Sequence, residues 1–280
     1  SMVIELEEKG KIELEEKLSH ILSEYRKSNK KKITVKELLS HHSRLQAWIP
    51  FYANTLQKGT KIPDSKYYSL TKNRWFEVEV AKNLYLRTDY LDAINAIIED
   101  SKLLPKKEYK YSDLPYYIFK QYIEKKYDKG LDELTSTHFY NALGANRLTY
   151  LPLQKMDSLA IIPSEIDTYY RHQTLRGNVH DMGAAMQGGV GGHAGLFGNA
   201  NDVAKMMQLY LQKGFYGGHR YFKNQTVEKF NTRYFEAEGN RRALGFDKPQ
   251  LNGENANTCG CVSPESFGHS GFTGTFVWAD

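Results

Sequence analysis

Apolar residues recur at helical spacing in several separate segments of this chain. Residues 3–9 mix apolar and acidic side chains ahead of Gly10, a pattern typical of the last turns of a helix that stops at a glycine. Thr34 and Glu37 have the spacing of a capping box, which predicts that another helix begins there. A helix between these two is predicted from apolar residues that would share one face, namely Leu14, Leu18, Ile21, Leu22 and Tyr25.

Longer helices are predicted in the middle of the chain. One runs through residues 91–98, where leucine and isoleucine fall on one face. The next starts at Ser112, accepts Pro115 because it lies in the first turn, and ends before Gly130. A further helix is expected over residues 131–143, closed by a glycine.

The remaining segments have mixed patterns. Residues 50–83 and 151–180 are predicted to be irregular, whereas Asn199 follows a glycine cluster and is a good N-cap for a helix that ends at Gly214. From residue 243 onward the pattern predicts loops and short strands, with residues 273–278 the best strand candidate. Helices together with short strands indicate an α+β fold.

Composition narrows the classes of protein that this chain can form. Its 280 residues, 40% of them hydrophobic, suffice for one large domain with a substantial core. The apolar runs are too short to span a membrane. The net charge of +5 is distributed over Lys30–Lys32, Lys106–Lys107 and Arg241–Arg242, which we interpret as solvated surface with no nucleic-acid partner.

Two cysteines, Cys259 and Cys261, lie one residue apart in a loop rich in Gly, Asn and Ser. This spacing is poor for a disulfide, and no nearby side chains complete a metal set, so two unpaired thiols are predicted. His180, Asp181 and His193 also lack the spacing of a metal site. The two histidines are expected to bond to the backbone instead, and no metal or cofactor is predicted.

Short motifs appear in an order that resembles one enzyme family. The motifs are Leu38 to Ser43, Tyr111-Ser112-Asp113, Gly195-Leu196-Phe197 and Gly268-His269-Ser270-Gly271. Together they resemble the penicillin-recognising serine hydrolases, which include class C β-lactamases, D-Ala-D-Ala peptidases and related esterases. Residues 179–193 resemble, more narrowly, the modules attached behind family 3 β-N-acetylglucosaminidases in Bacteroidetes.

The resemblance implies a fold of the serine β-lactamase/transpeptidase kind, with a mainly helical region of about residues 45–200 packed on an incomplete antiparallel sheet. Because the chain opens within a helix pattern and closes on an apolar strand, we expect one truncated domain over residues 1–280. The family's nucleophile lies in a Ser-x-x-Lys segment ahead of these motifs. Ser28 and Ser69 match that pattern formally, but neither has a helical apolar period around it.

The resemblance makes Tyr111 the candidate general base, a role that needs cationic neighbours to lower the pKa of its phenol. Alternatively, Tyr111 is one of twenty tyrosines and packs at a helix start. Asp113 stands where the family has an amide donor, and as a carboxylate it could only accept hydrogen bonds and would repel an acidic substrate. Equally, Asp113 could simply favour the helix N-terminus electrostatically.

His269 replaces the lysine of the family's Lys-Thr-Gly triad and is the second catalytic candidate, orienting either substrate or Tyr111. It could be neutral or charged near pH 7. Ser270 and Gly271 are candidate substrate-binding residues, with Gly271 leaving room beside the strand, although His-Ser-Gly alone is usually a turn. The family's geometry predicts that Tyr111 and His269 lie close together. Arg44 departs from the family, which usually has glycine there.

Two functions therefore remain open. The parent protein is expected to hydrolyse a peptidoglycan-related peptide, ester or amide through an acyl-serine, with this chain inactive by itself. The alternative is a non-catalytic accessory or cell-wall-binding module of a glycosidase. The expected partners are a cell-wall-derived or small acyl substrate, a fused glycosidase module, and a second copy bound through exposed core. The expected compartment is the cell envelope or periplasm.

Overall fold

Short helices and small sheets alternate along the chain in the computed structural model, which describes residues 1–250 and 256–280. The helices are α1 (Met2–Glu8), α2 (Leu18–Ile21), α3 (Val35–Leu39), α4 (Tyr90–Asp100), α5 (Leu114–Tyr127), α6 (Leu131–Thr135), α7 (Met182–Met186), α8 (Ala200–Leu211) and α9 (Asn224–Phe230). The strands are β1 (Tyr68–Ser69), β2 (Val78–Ala81), β3 (Leu84–Leu86), β4 (Glu165–Asp167), β5 (Gln173–Leu175), β6 (Phe215–Tyr216), β7 (His219–Arg220), β8 (Phe267–Ser270) and β9 (Phe276–Ala279).

Side-chain caps that the sequence predicts mark the starts of two helices, α3 and α8. The capping box before α3 is present, because the Thr34 Oγ1 accepts from the Glu37 N–H at 3.2 Å and a Glu37 carboxylate oxygen accepts from the Thr34 N–H at 2.8 Å. Asn199 caps α8 as predicted by accepting from the N–H of Asp202. The single helix predicted over residues 14–25 is wrong. Leu22 is extended there and separates α2 from a following 3-10 turn.

The middle helices agree closely with the sequence pattern. α4 is confirmed, and α5 begins at Leu114, two residues later than predicted, with Pro115 in its first turn. The helix predicted over 131–143 forms α6 and continues as a π-helical turn, Ser136–Tyr140.

The strands within the described residues form four small antiparallel sheets, in the orders β1-β3-β2, β4-β5, β6-β7 and β8-β9. The prediction that residues 50–83 are wholly irregular is therefore wrong, since β1 and β2 lie there and both pair with β3. The strand predicted at 273–278 begins instead at Phe276. The preceding residues form the turn in which Gly274 donates to the Gly271 carbonyl at 3.1 Å.

Two basic residues that were assigned to solvated surface are buried. Lys30 is fully buried, and its ammonium donates to the Glu99 carbonyl at 3.0 Å, at the C-terminal end of α4. Arg242 is only 2% exposed. Those two assignments are wrong because the fold turns each side chain inward, Lys30 against the Glu99 carbonyl and Arg242 against the His41 ring.

The cysteine prediction also changes. Cys259 and Cys261 are paired as a disulfide, whereas unpaired thiols were predicted. Gly260 between them has a φ of +75°, and the resulting turn brings the two Cα atoms to 5.4 Å, within the range that a disulfide bridges.

Glycines let α7 and the glycine-rich loop after it approach α5 closely. A Cβ on Gly192 would lie 2.2 Å from the Tyr116 carbonyl oxygen, and one on Gly183 would lie 1.7 Å from the Tyr117 hydroxyl. The glycine-rich segment can therefore pack directly on the first turn of α5, which follows the Tyr111 motif. This contact places the segment from His180 to His193 beside the candidate site.

Candidate functional site

His41 anchors the segment that carries Tyr111. It lies just after α3, is fully buried, and has a φ of +54°. Its carbonyl accepts from the Lys110 N–H at 3.0 Å, and its ring Nδ1 accepts from the Ser112 N–H at 3.2 Å. The backbone N–H groups of the residues on both sides of Tyr111 are thus hydrogen-bonded to one histidine, and these bonds fix the position of the Tyr111 backbone.

The unusual residue in this motif, Arg44, has a structural explanation. Its φ is +62°, a conformation in which glycine is the least strained residue. Hydrogen bonds to Leu104 hold it there: the Arg44 Nε donates to the Leu104 carbonyl at 2.6 Å, and the Leu104 N–H donates back at 2.7 Å. The backbone shape that a glycine would provide is therefore retained with an arginine.

Tyr111 and His269 lie together, as the family's geometry predicts. Their ring centroids are 5.9 Å apart, and the Tyr111 ring also contacts His41 at 4.7 Å. Tyr111 is 40% exposed, so its phenol is reachable from solvent. The pKa of the phenol is raised, first by partial burial of the side chain and next by the negative charge of Asp113, while the positive charge of Arg242 acts in the opposite direction. In this chain, therefore, the neighbouring charges do not produce the lowered pKa that a phenolate base needs.

The tautomer of His269 follows from its hydrogen bond. The imidazole Nδ1 lies 2.7 Å from the Ser270 carbonyl oxygen, and a carbonyl only accepts, so Nδ1 carries the proton. A neutral ring then has its lone pair on Nε2. Burial, and next the positive charge of Arg242, lower the pKa of His269. The question left open by the sequence is answered in favour of a neutral imidazole at pH 7.

Asp113 occupies the N-cap position of α5 without capping it. Its own side chain makes no capping bond, and the Ser112 Oγ accepts from the Leu114 N–H instead. Burial raises the pKa of Asp113, His193 opposes this, and Asp181 adds to it. A raised pKa favours the protonated carboxyl, and only that form could donate a hydrogen bond as the family's amide does; the ionised form only accepts.

Ser270 and Gly271 close the β8–β9 hairpin. The Gly271 N–H donates to the Thr275 carbonyl at 2.7 Å, and a Cβ at Gly271 would lie 2.6 Å from the Thr275 hydroxyl. The hairpin turn thus accounts for glycine at this position. Substrate binding by Ser270 and Gly271 stays a prediction.

The histidines of the glycine-rich segment differ from the prediction. His193 bonds the Asp181 carboxylate at 2.8 Å, and Asp181 also caps α7 by accepting from the Ala184 N–H at 2.7 Å. His180 stacks on Phe272 at 5.6 Å. Neither ring makes a hydrogen bond to the backbone within the described residues, so that prediction is wrong. The same residues include no group of three or more potential ligands that could hold a metal ion.

Arg242 is the member of the site that sequence reasoning missed. Its guanidinium lies 5.6 Å from the Tyr111 ring centroid and 3.4 Å from the His41 Nε2. In the sequence it was one of two adjacent arginines in a polar stretch, so no pattern marked it as buried. His41 was visible as part of a motif, but its anchoring role required the fold.

The two formal Ser-x-x-Lys matches lie outside helices. Ser28 follows a 3-10 turn, and its hydroxyl donates to the Glu99 carbonyl at 2.7 Å. Ser69 ends strand β1, and its hydroxyl donates to the Thr71 carbonyl at 2.8 Å. Neither setting places a lysine one helical turn after the serine.

Acid should destabilise the fold through His41. Burial and then Arg242 lower the pKa of His41 well below its ordinary value, so the folded protein holds this ring neutral while the unfolded chain protonates it. The contribution of neutral His41 to the free energy of unfolding is therefore complete above about pH 6.5 and is lost as the pH falls. Urea unfolding at pH 7.5 and 5.5 should show that His41→Gln reduces this loss by up to about 1.4 kcal/mol per pH unit. His219→Gln, at an exposed position, should leave the wild-type pH dependence unchanged. An equal pH dependence in His41→Gln would contradict the assignment.

The contact between Tyr111 and His269 agrees with the motif order that resembles the β-lactamase and transpeptidase-like hydrolases. The Beta-lactamase family model matches residues 2–280, and the chain therefore belongs to that family. This confirms the resemblance to the penicillin-recognising hydrolases and the expected α+β fold of the β-lactamase/transpeptidase kind. The narrower resemblance to modules attached to glycosidases stays a prediction.

Similar proteins agree with this assignment. The chain is 33% identical over 195 residues to a Salmonella gallinarum protein named "Putative D-alanyl-D-alanine carboxypeptidase", covering 63% of this chain and 43% of that protein. A Salmonella typhi protein of the same name is 34% identical over 193 residues, with the same coverage. The chain thus spans less than half the length of these curated relatives.

Solved structures share the fold at low sequence identity. A penicillin-binding protein homologue from Caulobacter crescentus has a TM-score of 0.61 and 13% identity, covering 100% of this chain and 70% of that one. The octameric penicillin-binding protein homologue from Pyrococcus abyssi has a TM-score of 0.60 and 18% identity, covering 99% of this chain and 55% of that one. Among the described residues, no helix has the length and apolar character needed to cross a membrane.

Proposed function

We propose that this chain forms the tyrosine–histidine side of an acyl-serine hydrolase site in a longer protein, and that the nucleophilic serine lies outside the printed sequence. The substrate would be a peptidoglycan-related peptide, ester or amide. The observation that carries the proposal is the contact between Tyr111 and His269, whose rings come from distant segments and meet at 5.9 Å.

The protonation states of the His269 and Tyr111 rings suggest different roles for the two residues. His269 has a free Nε2 lone pair and can accept a hydrogen bond or proton, while the Tyr111 phenol stays protonated and can donate. Hydrolysis of an acyl-serine needs a proton acceptor for water. Tyr111 would become that base only when the lysine of a Ser-x-x-Lys segment adds a second positive charge and lowers its pKa. By itself, this chain should therefore be inactive.

The substrate class follows from the relatives and from Asp113. The curated relatives are named for D-alanyl-D-alanine carboxypeptidase activity, which favours a peptidoglycan peptide. Asp113 is a weak partner for a substrate carboxylate when ionised, and it resembles the family's amide only when protonated. Esters and amides are accordingly better substrates than β-lactams for the proposed site.

Acylation of two proteins tests the proposal. This chain should give no adduct with penicillin-type or fluorophosphonate probes by intact-mass spectrometry, at Ser28, at Ser69 or elsewhere, and no hydrolysis of p-nitrophenyl esters above background. A longer chain from the parent gene that contains a Ser-x-x-Lys segment should acylate at that serine. In the longer chain, Tyr111→Phe should slow turnover by about 10²–10⁴-fold, whereas Tyr85→Phe on β3 should not.

Two results would contradict the proposal. A stoichiometric adduct at Ser69 would show that the nucleophile is inside this chain. A longer chain with Ser-x-x-Lys that never acylates would favour the accessory or cell-wall-binding module of a glycosidase. We further propose a location in the cell envelope or periplasm, in keeping with the named relatives.

Self-association is a separate proposal about this chain. Several apolar side chains are more than 50% exposed, and a second copy that covers them would form a homodimer. They are Trp48, Ile62, Leu70, Trp75, Leu159, Ile162, Ile166, Phe272 and Phe276.

A further inference from the structure

Arg242 is a buried cation with little to balance it. Its side chain is 2% exposed, and its Nε is buried with no hydrogen-bond partner among the described residues. Such groups are rare in folded proteins because desolvating a charge is costly. An arginine in this state next to Tyr111 and His41 calls for a functional explanation.

The contact between Arg242 and His41 does not satisfy the guanidinium. His41 accepts the Ser112 N–H at Nδ1, so a neutral ring carries its proton on Nε2. That Nε2 lies 3.4 Å from the Arg242 Nη2, which is also a donor. Protonating His41 would place two full positive charges at this distance. The geometry therefore opposes a charged His41.

The nearest carboxylate is already shared. The Arg242 Nη1 lies 3.6 Å from Asp247, but Asp247 accepts two shorter bonds from Arg241, at 2.8 and 3.0 Å. Two arginines and one carboxylate leave one net positive charge at this wall of the cleft. Asp247 is held beside His269 because it pairs with Gly268 through two backbone hydrogen bonds.

We propose that Arg242 is the permanent cation of this cleft, and that its guanidinium keeps the imidazoles of His41 and His269 uncharged, so that the lone pair of His41 holds the Ser112 N–H and the lone pair of His269 stays able to accept a hydrogen bond. The inference rests on the proposed function only for the use made of these lone pairs. Arg242 is a positioning residue in this scheme, since it acts through the two rings. The ionisable groups around the two rings are Tyr111, Tyr116, Arg241, Arg242 and Asp247.

The histidine charge can be measured without any hydrolysis. Proton NMR titration of the intact chain should place the pKa of His269 below its ordinary value, with the signal assigned by its absence in His269→Gln. In Arg242→Gln, the pKa of His269 should rise by about half a unit or more, and the pKa of His41 should also rise, although burial should keep it below its ordinary value. Arg242→Lys keeps the charge and should keep both rings close to the wild-type behaviour.

Controls separate charge from structure. Arg74→Gln removes the same charge at a residue whose guanidinium lies over Trp75, and it should leave the His269 titration unchanged. If Arg242→Gln does not fold, Asp247→Asn removes the opposing carboxylate and should lower the pKa of His269 further. An unchanged His269 titration in folded Arg242→Gln, or equal shifts in Arg242→Gln and Arg242→Lys, would overturn the proposal. These outcomes stand whether or not the longer protein proves to be a hydrolase.

Discussion

Asp167→Ala is expected to lower the free energy of unfolding by about 3–5 kcal/mol, because it leaves a buried arginine without its counter-charge. Asp167 and Arg171 have fully buried side chains and pair at 2.7 Å. Asp167 also accepts from the N–H groups of Tyr169 and Tyr170, at 3.0 and 2.8 Å. Burial opposes its ionisation, but Arg171 and these N–H groups outweigh it and lower the pKa of Asp167.

The exposed pair between Arg87 and Asp89 provides a matched control. Like the Asp167–Arg171 pair, it joins an arginine and an aspartate that are close in sequence, but both of its side chains are over a third exposed. Asp89→Ala should therefore change stability by no more than about 1 kcal/mol. Urea unfolding of both variants makes the comparison, and equal losses would show that burial does not decide the worth of the Asp167 pair.

Asp167→Ala should also disturb the candidate site around His269. Arg171 donates to the carbonyls of Val179 and His180 at 2.7 and 2.5 Å, which holds the start of the glycine-rich segment. His180 stacks on Phe272 in the β8–β9 hairpin, next to His269. A change in the NMR signal of His180 in Asp167→Ala, with no such change in Asp89→Ala, would confirm this connection.

Gly192→Ala is expected to cost about 3 kcal/mol, near the upper end for forcing an added methyl group into a packed interior. The new Cβ would lie 2.2 Å from the Tyr116 carbonyl oxygen and 3.0 Å from its carbonyl carbon. Backbone atoms of α5 cannot rotate away as a side-chain end could. The loop and the first turn of α5 must therefore separate.

Gly239→Ala is the matched control for this substitution. Gly239 has a φ of +77°, but a Cβ there would meet nothing within 4 Å, so only the backbone strain of roughly 1 kcal/mol applies. Thermal and urea unfolding should rank the two variants clearly. A Gly192→Ala protein as stable as Gly239→Ala would mean that the loop does not pack on α5 as described.

Sequence reasoning succeeded where the physical signal is local. The capping box at Thr34, the N-cap at Asn199 and the first-turn Pro115 each act within one turn of helix, so they could be identified without the fold. Ordered motifs also brought Tyr111 and His269 together correctly. The failures at Leu22 and in residues 50–83 lie in extended backbone, which β1 and β2 adopt by pairing with β3 and which no helix signal describes.

The charge state of the site could not be predicted from the sequence. Arg242 looked like an ordinary surface arginine, and whether it is buried depends on His41, which lies on a distant segment, and on Asp247, a few residues further along the chain. The sequence by itself determined the starts of α3 and α8, the family and the chemical identity of the facing rings. Only the tertiary structure decided which rings are neutral, because desolvation and long-range charge, unlike helix signals, depend on what lies nearby in space.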